Sequence, residues 1–215
     1  MKTTRIEYCM IGLGVWIVTC FVCLAQTPTQ EVQAAPKPET LEQRVGRGEP
    51  NAIREAADQG RKDLIPAIEK FADIGQPWEA SRIWTRAALA KLGMKKYLDE
   101  TVAELTTTNS ALFETYMNNG VCAFPSAEMR VACAKQRTWE TAFKKLAYIR
   151  NPSTVKVVAQ FLYSTEHYQF SSDVPPWWPS GAAVRALQQM VDNPPAGVEE
   201  KVWQQWWEQN KDKYP

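Results

Sequence analysis

The chain is poor in the side chains on which hydrolases and metal sites depend. Its 215 residues include one histidine, His167, and no serine lies in a Gly-x-Ser-x-Gly elbow, so a hydrolytic triad would have one candidate base and no recognisable nucleophile. Zinc needs three or four suitable ligands, which one histidine and the few cysteines do not supply. A glycine-rich phosphate-binding loop is also missing. The sequence therefore predicts that the protein is not an enzyme and uses no metal or cofactor.

Net charge is equally scarce. Lys and Arg number 25 and Asp and Glu number 24, which leaves a formal net charge of +1. A chain of mixed, balanced charge produces no field that would attract nucleic acid or anionic lipid. We therefore expect no nucleic-acid partner. Local pairs such as Lys144 and Lys145 are interpreted as solvated positions on a helix face.

Long apolar runs are confined to the N-terminus. Residues 9–25 carry no charge, follow a positive segment with Lys2 and Arg5, and end at Ala25 among small residues that suit a signal peptidase. The pattern predicts a secretory signal peptide over residues 1–25 and an exported protein, periplasmic or secreted. The alternative is an uncleaved signal that anchors the protein in the membrane through residues 9–25, although a spanning helix needs about 20 apolar residues.

The region after the signal contains several prolines and few apolar residues. Residues 26–40 include Pro28, Pro36 and Pro38 and cannot bury enough apolar surface to become ordered, so we predict a linker there. Residues 41–215 suffice for one domain with a sizeable core.

Cysteine is scarce outside the signal. Three of the five cysteines lie in residues 1–25, and the exported part keeps Cys122 and Cys133. An even pair in an oxidising compartment favours a disulfide, which would stabilise the fold by about 3 kcal/mol in the chain-entropy model. The alternative is a pair of buried free thiols.

Strand-like alternation of apolar and polar residues is nowhere convincing, whereas helical periodicity runs through nearly the whole chain. Asp63 is a candidate helix N-cap, and Gly60 and Gly93 are candidate helix stops. Helices are predicted over residues 51–59, 64–73, 78–92, 94–105, 110–118, 126–149, 153–163, 180–191 and 198–211. The predicted fold class is therefore all-α.

One segment of the chain is similar to another segment 75 residues later. Residues 67–77 align without a gap with residues 142–152, and each has apolar residues at helical spacing followed by an amide residue and a proline. A helix, a tight turn and a second helix therefore occur at least twice. A fixed period of this kind indicates stacked helical repeats, which form an α-solenoid.

The same segments resemble a HEAT repeat. Residues 64–68 (LIPAI), 76–80 (QPWEA) and 83–93 (IWTRAALAKLG) follow the family pattern of an apolar-Pro-apolar start, a Pro turn and a second helix that ends in Ala-Leu-x-x-Leu-Gly. Residues 151–162 are similar to the turn and second helix again. The resemblance implies a right-handed, armadillo-like α-solenoid of roughly four to five antiparallel helix pairs. Because HEAT repeats are mostly scaffolds and docking surfaces, it also implies a non-catalytic role.

A pair of tryptophans stands in the longest irregular segment, residues 165–180. Prolines on both sides of Trp177 and Trp178 restrict the backbone to extended forms and hold both indoles on a stiff loop. Rigid aromatics cost little entropy to order and suit a binding surface. We expect this loop, with His167 and Tyr168, to contact a protein partner.

Two alternatives remain open for the tryptophan pair. The indoles could stack on the sugars of a cell-wall glycan, which would make the protein a carbohydrate or peptidoglycan binder. The loop could instead fold back, so that both indoles fill a groove between helix pairs, since large exposed apolar patches are uncommon.

The last helix carries three more tryptophans. Val198, Val202 and Trp206 form a stripe at i, i+4 spacing with Trp203 beside it, which predicts an aromatic cap over the open end of the repeats. Trp207 lies outside this stripe, so we expect it to be the most exposed of the three tryptophans and to belong to the partner-binding residues.

These observations favour a non-catalytic protein-interaction or scaffold module of the cell envelope. The alternative is a carbohydrate or peptidoglycan binder, and a second alternative is an enzyme with an unrecognised site. The last would require a deep pocket at His167 with a carboxylate within hydrogen-bond reach.

Overall fold

The computed structural model describes residues 38–106, 109–173 and 175–215, so the predicted signal and most of the predicted linker lie outside the described residues. This part of the chain is all-helical, as predicted, and residues from Pro38 onward form one compact unit. Its helices are α1 (Leu41–Gly46), α2 (Pro50–Asp58), α3 (Ile65–Glu69), α4 (Ala80–Lys91), α5 (Lys95–Thr106), α6 (Ala111–Asn118), α7 (Ala127–Ile149), α8 (Val155–Ala159), α9 (Pro179–Met190) and α10 (Glu200–Asn210). Among these residues, no helix is long and apolar enough to cross a membrane.

Most helix ends follow the local sequence signals. The Ser110 and Ser126 side chains accept hydrogen bonds from the backbone N–H groups of Phe113 and Met129, as N-caps do. Gly60 and Gly93 have φ angles of 67° and 101°, the left-handed conformation that ends a helix and that glycine adopts without strain.

The prediction of one helix over residues 64–73 with Asp63 as its N-cap is wrong. A 3₁₀ turn, Lys62–Leu64, precedes the short helix α3, and neither has a side-chain cap. Asp63 instead accepts hydrogen bonds from the Arg61 guanidinium, 2.9 and 2.7 Å away. The arginine competes for the carboxylate that would otherwise cap the helix.

Four helices lie side by side in the order α2, α4, α7 and α9, each in contact with the next. The remaining helices pack on this row: α1 against α2, α3 against α4, α5 and α6 against α7, and α8 and α10 against α9. Each helix of the row supplies at least one fully buried aliphatic side chain to a continuous core, namely Ile53, Leu89, Leu146 and Leu187.

A smaller core lies between α6 and the start of α7. It contains Leu112, Tyr116 and Ala134 around the sulfurs of Cys122 and Cys133. The two sulfurs are 2.15 Å apart and the two Cα atoms 5.7 Å apart, so the two cysteines lie at disulfide distance, as the predicted bond requires.

The interpretation of Lys145 as a solvated residue is wrong. Its side chain is 5% exposed, and its Nζ lies 2.6 and 2.5 Å from the two carboxylate oxygens of Glu104 on α5, which is itself 13% exposed. Burial raises the pKa of Glu104, while Lys145 acts in the opposite direction. A buried ion pair therefore joins α5 and α7, and either charge would be costly to bury without the other.

The predicted stripe on the last helix is also out of register. Val198 and Val202 are 62% and 36% exposed, whereas Trp203 and Trp207 are 0% and 8% exposed. Val198 precedes α10 and cannot share its helical spacing. After α10, the chain turns and stacks Tyr214 on Trp207, with ring centroids 6.3 Å apart. The expectation that Trp207 is the most exposed of the three tryptophans is therefore wrong.

Candidate functional site

The loop that precedes α9 is closed by a short backbone pairing. The Tyr168 N–H donates to the Trp177 carbonyl over 3.0 Å, and the Trp177 N–H donates to the Tyr168 carbonyl over 2.8 Å. Neighbouring residues in an extended pair point to opposite faces. The bridge thus divides the predicted binding residues into two sets. Tyr168 and Trp177 form the inner set, and His167 and Trp178 form the outer set.

The inner set packs on the body of the protein. The rings of Tyr168 and Trp177 are stacked with their centroids 5.9 Å apart, and both lie within 6.5 Å of the Trp139 ring on α7. Phe161 meets the same tryptophan edge to face at 4.9 Å. For Trp177, the structure therefore corresponds to the alternative in which an indole fills a groove.

A charged clamp fixes the inner set to α7. The Lys135 Nζ lies 2.7 Å from a carboxylate oxygen of Glu166 and 4.5 Å from the Trp139 ring centroid, and the Tyr168 hydroxyl donates to the same Glu166 oxygen. Burial and the carboxylate both raise the pKa of Tyr168. Burial would also raise the pKa of Glu166, but the hydrogen bonds from Lys135 and Tyr168 outweigh it and the pKa is lowered.

The outer set faces solvent. Trp178 is 42% exposed, and its indole is stacked on the His167 imidazole with centroids 4.8 Å apart and planes 25° apart. The two stacked rings form one exposed aromatic plate at the N-terminal end of α9. Of these two chain neighbours, Trp177 thus packs inward and Trp178 is exposed, so the two indoles do not share one environment.

The ring contact of His167 is with Trp178. Its sequence neighbour Glu166 is held by Lys135 and Tyr168 on the inner side of the loop. Within the described ranges, no hydrogen bond joins His167 to a carboxylate, and no group of three or more His, Cys, Asp or Glu residues could hold a metal ion. Trp207 of α10 is the remaining residue predicted to bind a partner. It lies under Tyr214 and presents little surface.

A cleft that the sequence did not predict lies between α7 and α9. Its volume is about 310 Å³, and Trp177 closes the end at which α9 begins. Its lining residues are Glu140, Phe143, Lys144, Ala147, Trp177, Ala182, Arg185, Ala186 and Gln189. On both helices these positions are spaced i, i+3, i+4 and i+7, the pattern of a single helix face. That spacing was the available sequence signal, and the small alanines leave the space open.

An aromatic and basic surface adjoins this cleft. The Arg54 guanidinium of α2 lies 5.0 Å from the Trp84 ring centroid and 5.5 Å from the Tyr148 ring centroid, and Lys91 Nζ lies 4.2 Å above Tyr148. Burial raises the pKa of Tyr148. Tyr148 is one helical turn after Lys144 on α7, so this surface and the cleft share a helix face.

No protein-family model, curated protein or solved structure matches the chain. The two features from which a function can be inferred are therefore the outer aromatic plate and the cleft.

Proposed function

We propose that the chain is a non-catalytic protein-interaction or scaffold module built as a HEAT-like α-solenoid. The order of helix contacts supports this: α2, α4, α7 and α9 make one row, while α1, α3, α5 with α6, and α8 pack on it. This is the contact pattern expected of stacked pairs that meet mainly their neighbours. α10 and its buried Trp203 would then close the last pair. The count corresponds to four pairs, the lower end of the predicted range.

The plate formed by His167 and Trp178 is the proposed partner contact, and its exposure is the observation that carries the proposal. An indole 42% exposed on a loop fixed by the Glu166–Lys135 ion pair loses little conformational entropy on binding. Tryptophans that become buried at the centre of an interface dominate binding energy. The inner residues Tyr168 and Trp177 then position the plate without touching the partner.

Site-specific photo-crosslinking in the source cells tests this assignment with the full-length protein. We expect a benzophenone side chain at position 178 to form one stoichiometric crosslinked product, and the same group at exposed position 202 on α10 to form none. An excess of unmodified protein should suppress the product, whereas an excess of the Trp178→Ala variant should not. Equal crosslinking from both positions, or suppression by that variant, would refute the proposed contact.

The proposed location is outside the cytoplasm, in the cell envelope. The Cys122–Cys133 disulfide supports it, because such bonds persist in oxidising compartments. N-terminal sequencing of the protein from the envelope fraction tests it, and cleavage of the predicted signal would make Gln26 the first residue. A protein that keeps residues 9–25 and sediments with membranes would instead be the anchored form.

A carbohydrate or peptidoglycan partner is the second candidate for the same plate. The exposed indole of Trp178 favours it, although the inward position of Trp177 leaves one tryptophan rather than two for stacking. Sedimentation with insoluble cell wall stripped of protein distinguishes the candidates. Co-sedimentation that is lost in Trp178→Ala would favour glycan, and no co-sedimentation would favour a protein partner.

A further inference from the structure

We infer that the cleft between α7 and α9 is a separate site for an acidic peptide segment. A large apolar side chain of the peptide would rest on the cleft floor, and a neighbouring carboxylate would lie between Lys144 and Arg185. The site does not depend on the outer face of Trp178, so it goes beyond the proposed partner contact.

The floor of the cleft fits one large apolar side chain. Phe143 and three alanines form a floor of buried side chains, and the Trp177 indole forms a wall at one end. The volume of about 310 Å³ is at the lower limit of ligand-binding pockets, which suits part of a peptide rather than a whole cofactor. Because Trp177 is fixed by its contacts with Trp139 and Tyr168, the wall exists before a ligand arrives.

The rim of the cleft carries an excess of positive charge. Lys144 and Arg185 are exposed on opposite walls, and among the described residues neither takes part in an ion pair. This distinguishes them from Lys91, Lys135 and Lys145, which are all paired. Two cations without counter-ions beside an apolar floor complement a carboxylate next to an apolar side chain.

The rim also carries a single acid. Glu140 lies one turn before Lys144 on α7 and accepts a hydrogen bond of 3.0 Å from Gln136. With Lys144 and Arg185 on the same rim, one positive charge remains in excess. A peptide carboxylate would be repelled by Glu140 and attracted toward Lys144 and Arg185.

The adjoining surface indicates a peptide rather than a small carboxylate. The face continues from Lys144 to Tyr148 on α7, then to Trp84 on α4 and Arg54 on α2, across two further helix contacts. Helices packed about 8–10 Å apart make a face of about 25–30 Å across the row, the length of roughly eight extended residues. An extended acidic segment can use its whole length, whereas a small molecule would use the cleft alone.

Fluorescence anisotropy with the full-length protein in mild detergent tests the inference. The probe is a fluorescein-labelled peptide of eight residues that alternates Leu with Glu, and the controls have Gln or Lys in place of Glu. We expect the Glu peptide to bind at least about tenfold more tightly than the Gln peptide, and the Lys peptide to bind more weakly still. High salt should weaken binding because the cations are exposed.

Charge variants locate the site. Lys144→Glu with Arg185→Glu should weaken binding of the Glu peptide about tenfold or more, whereas Glu140→Gln should strengthen it a few-fold. Lys156→Glu on α8 makes the same kind of charge change away from the cleft, and Trp178→Ala removes the outer plate. Both should leave the affinity within about twofold, which separates a failure of this inference from a failure of the proposed partner contact.

Three results would overturn the inference. One is equal affinity for the three peptides, or no anisotropy change at about 1 mM, a concentration that half-fills even a weak site. Another is unchanged binding in the Lys144 and Arg185 charge-reversal variant. The third is displacement of the probe by N-acetyl-leucine as effectively as by unlabelled peptide, which would assign the cleft to small carboxylates.

Discussion

Trp177 and Trp178 are consecutive residues whose indoles lie on opposite faces of one loop. Trp177 packs 6.5 Å from the Trp139 ring and closes the cleft, whereas Trp178 stacks on His167 in solvent. The two backbone hydrogen bonds between Tyr168 and Trp177 impose this division, since successive side chains of an extended segment alternate. One residue thus serves as structural support, and its neighbour is available for binding.

The division predicts different stabilities for two alanine variants. Trp177→Ala should lower the free energy of unfolding by about 2–3 kcal/mol, because it removes a large, partly buried side chain that packs on Trp139. Trp178→Ala should change it by less than about 1 kcal/mol, since exposed side chains contribute little. Urea unfolding of the two variants measures both quantities. Equal losses would show that the indoles are not divided between support and binding.

The disulfide can be tested on the natural protein, without a mutation that would destabilise it. Trypsin cleaves after Arg130, which would separate the Cys122 peptide, residues 97–130, from the Cys133 peptide, residues 131–135. Mass spectrometry of an unreduced digest should find these two peptides joined, and reduction should separate them. Replacing both cysteines with serine should lower stability by about 3 kcal/mol. Two separate, alkylated peptides before reduction would contradict the bond.

The buried pair of Glu104 and Lys145 predicts a strong dependence on each partner. Lys145→Met leaves a buried carboxylate without its cation and should cost about 3–5 kcal/mol at neutral pH. Adding Glu104→Leu should recover much of that loss, because two apolar residues of similar size need no counter-charge. Chemical denaturation of the single and double variants provides the comparison. A double variant as unstable as the single one would show that the pair does more than balance charge.

The same pair predicts a direction with pH. Because the pKa of Glu104 is raised on folding above its ordinary value of 4.5, the folded state holds this proton more strongly than the unfolded state. The proton's contribution to stability is complete below that value and is lost as the pH rises through the raised pKa. Compared with the Glu104→Leu and Lys145→Met double variant, the natural protein should therefore lose stability over this window. An unchanged difference between the two proteins across it would contradict the raised pKa.

The register of the last helix gives a fifth prediction. Trp207→Ala should destabilise the protein by about 3 kcal/mol or more, because the indole is 8% exposed and covered by Tyr214. Val198→Ala should have an effect within about 0.5 kcal/mol, since Val198 is 62% exposed. Thermal unfolding ranks the two variants directly. The reverse ranking would restore the stripe that the sequence suggested.

Features that depend on nearby residues were predicted well. The all-α class follows from the spacing of apolar residues, and the Ser126 cap follows from a side chain three residues before its donor. The pairing of Cys122 with Cys133 was predicted from the even number of cysteines beyond the predicted signal, and the structure places the two residues at disulfide distance. The wrong prediction at α3 also concerns residues close together in the chain. Arg61 binds the carboxylate of Asp63, so this carboxylate does not cap the helix.

By itself, the sequence determined which segments are helices and where most of them begin and end, because hydrogen bonds and caps within a helix join residues three or four positions apart. Tertiary structure decided which side chains are buried. The sequence predicted a solvated Lys145, but α5 places Glu104, 41 positions away, against it. The sequence also predicted an exposed Trp207, but Tyr214 in the following turn covers it. The cleft exists only because α7 and α9 pack together with small residues between them. Such contacts depend on the arrangement of whole helices in space, which the spacing of residues within one helix does not specify.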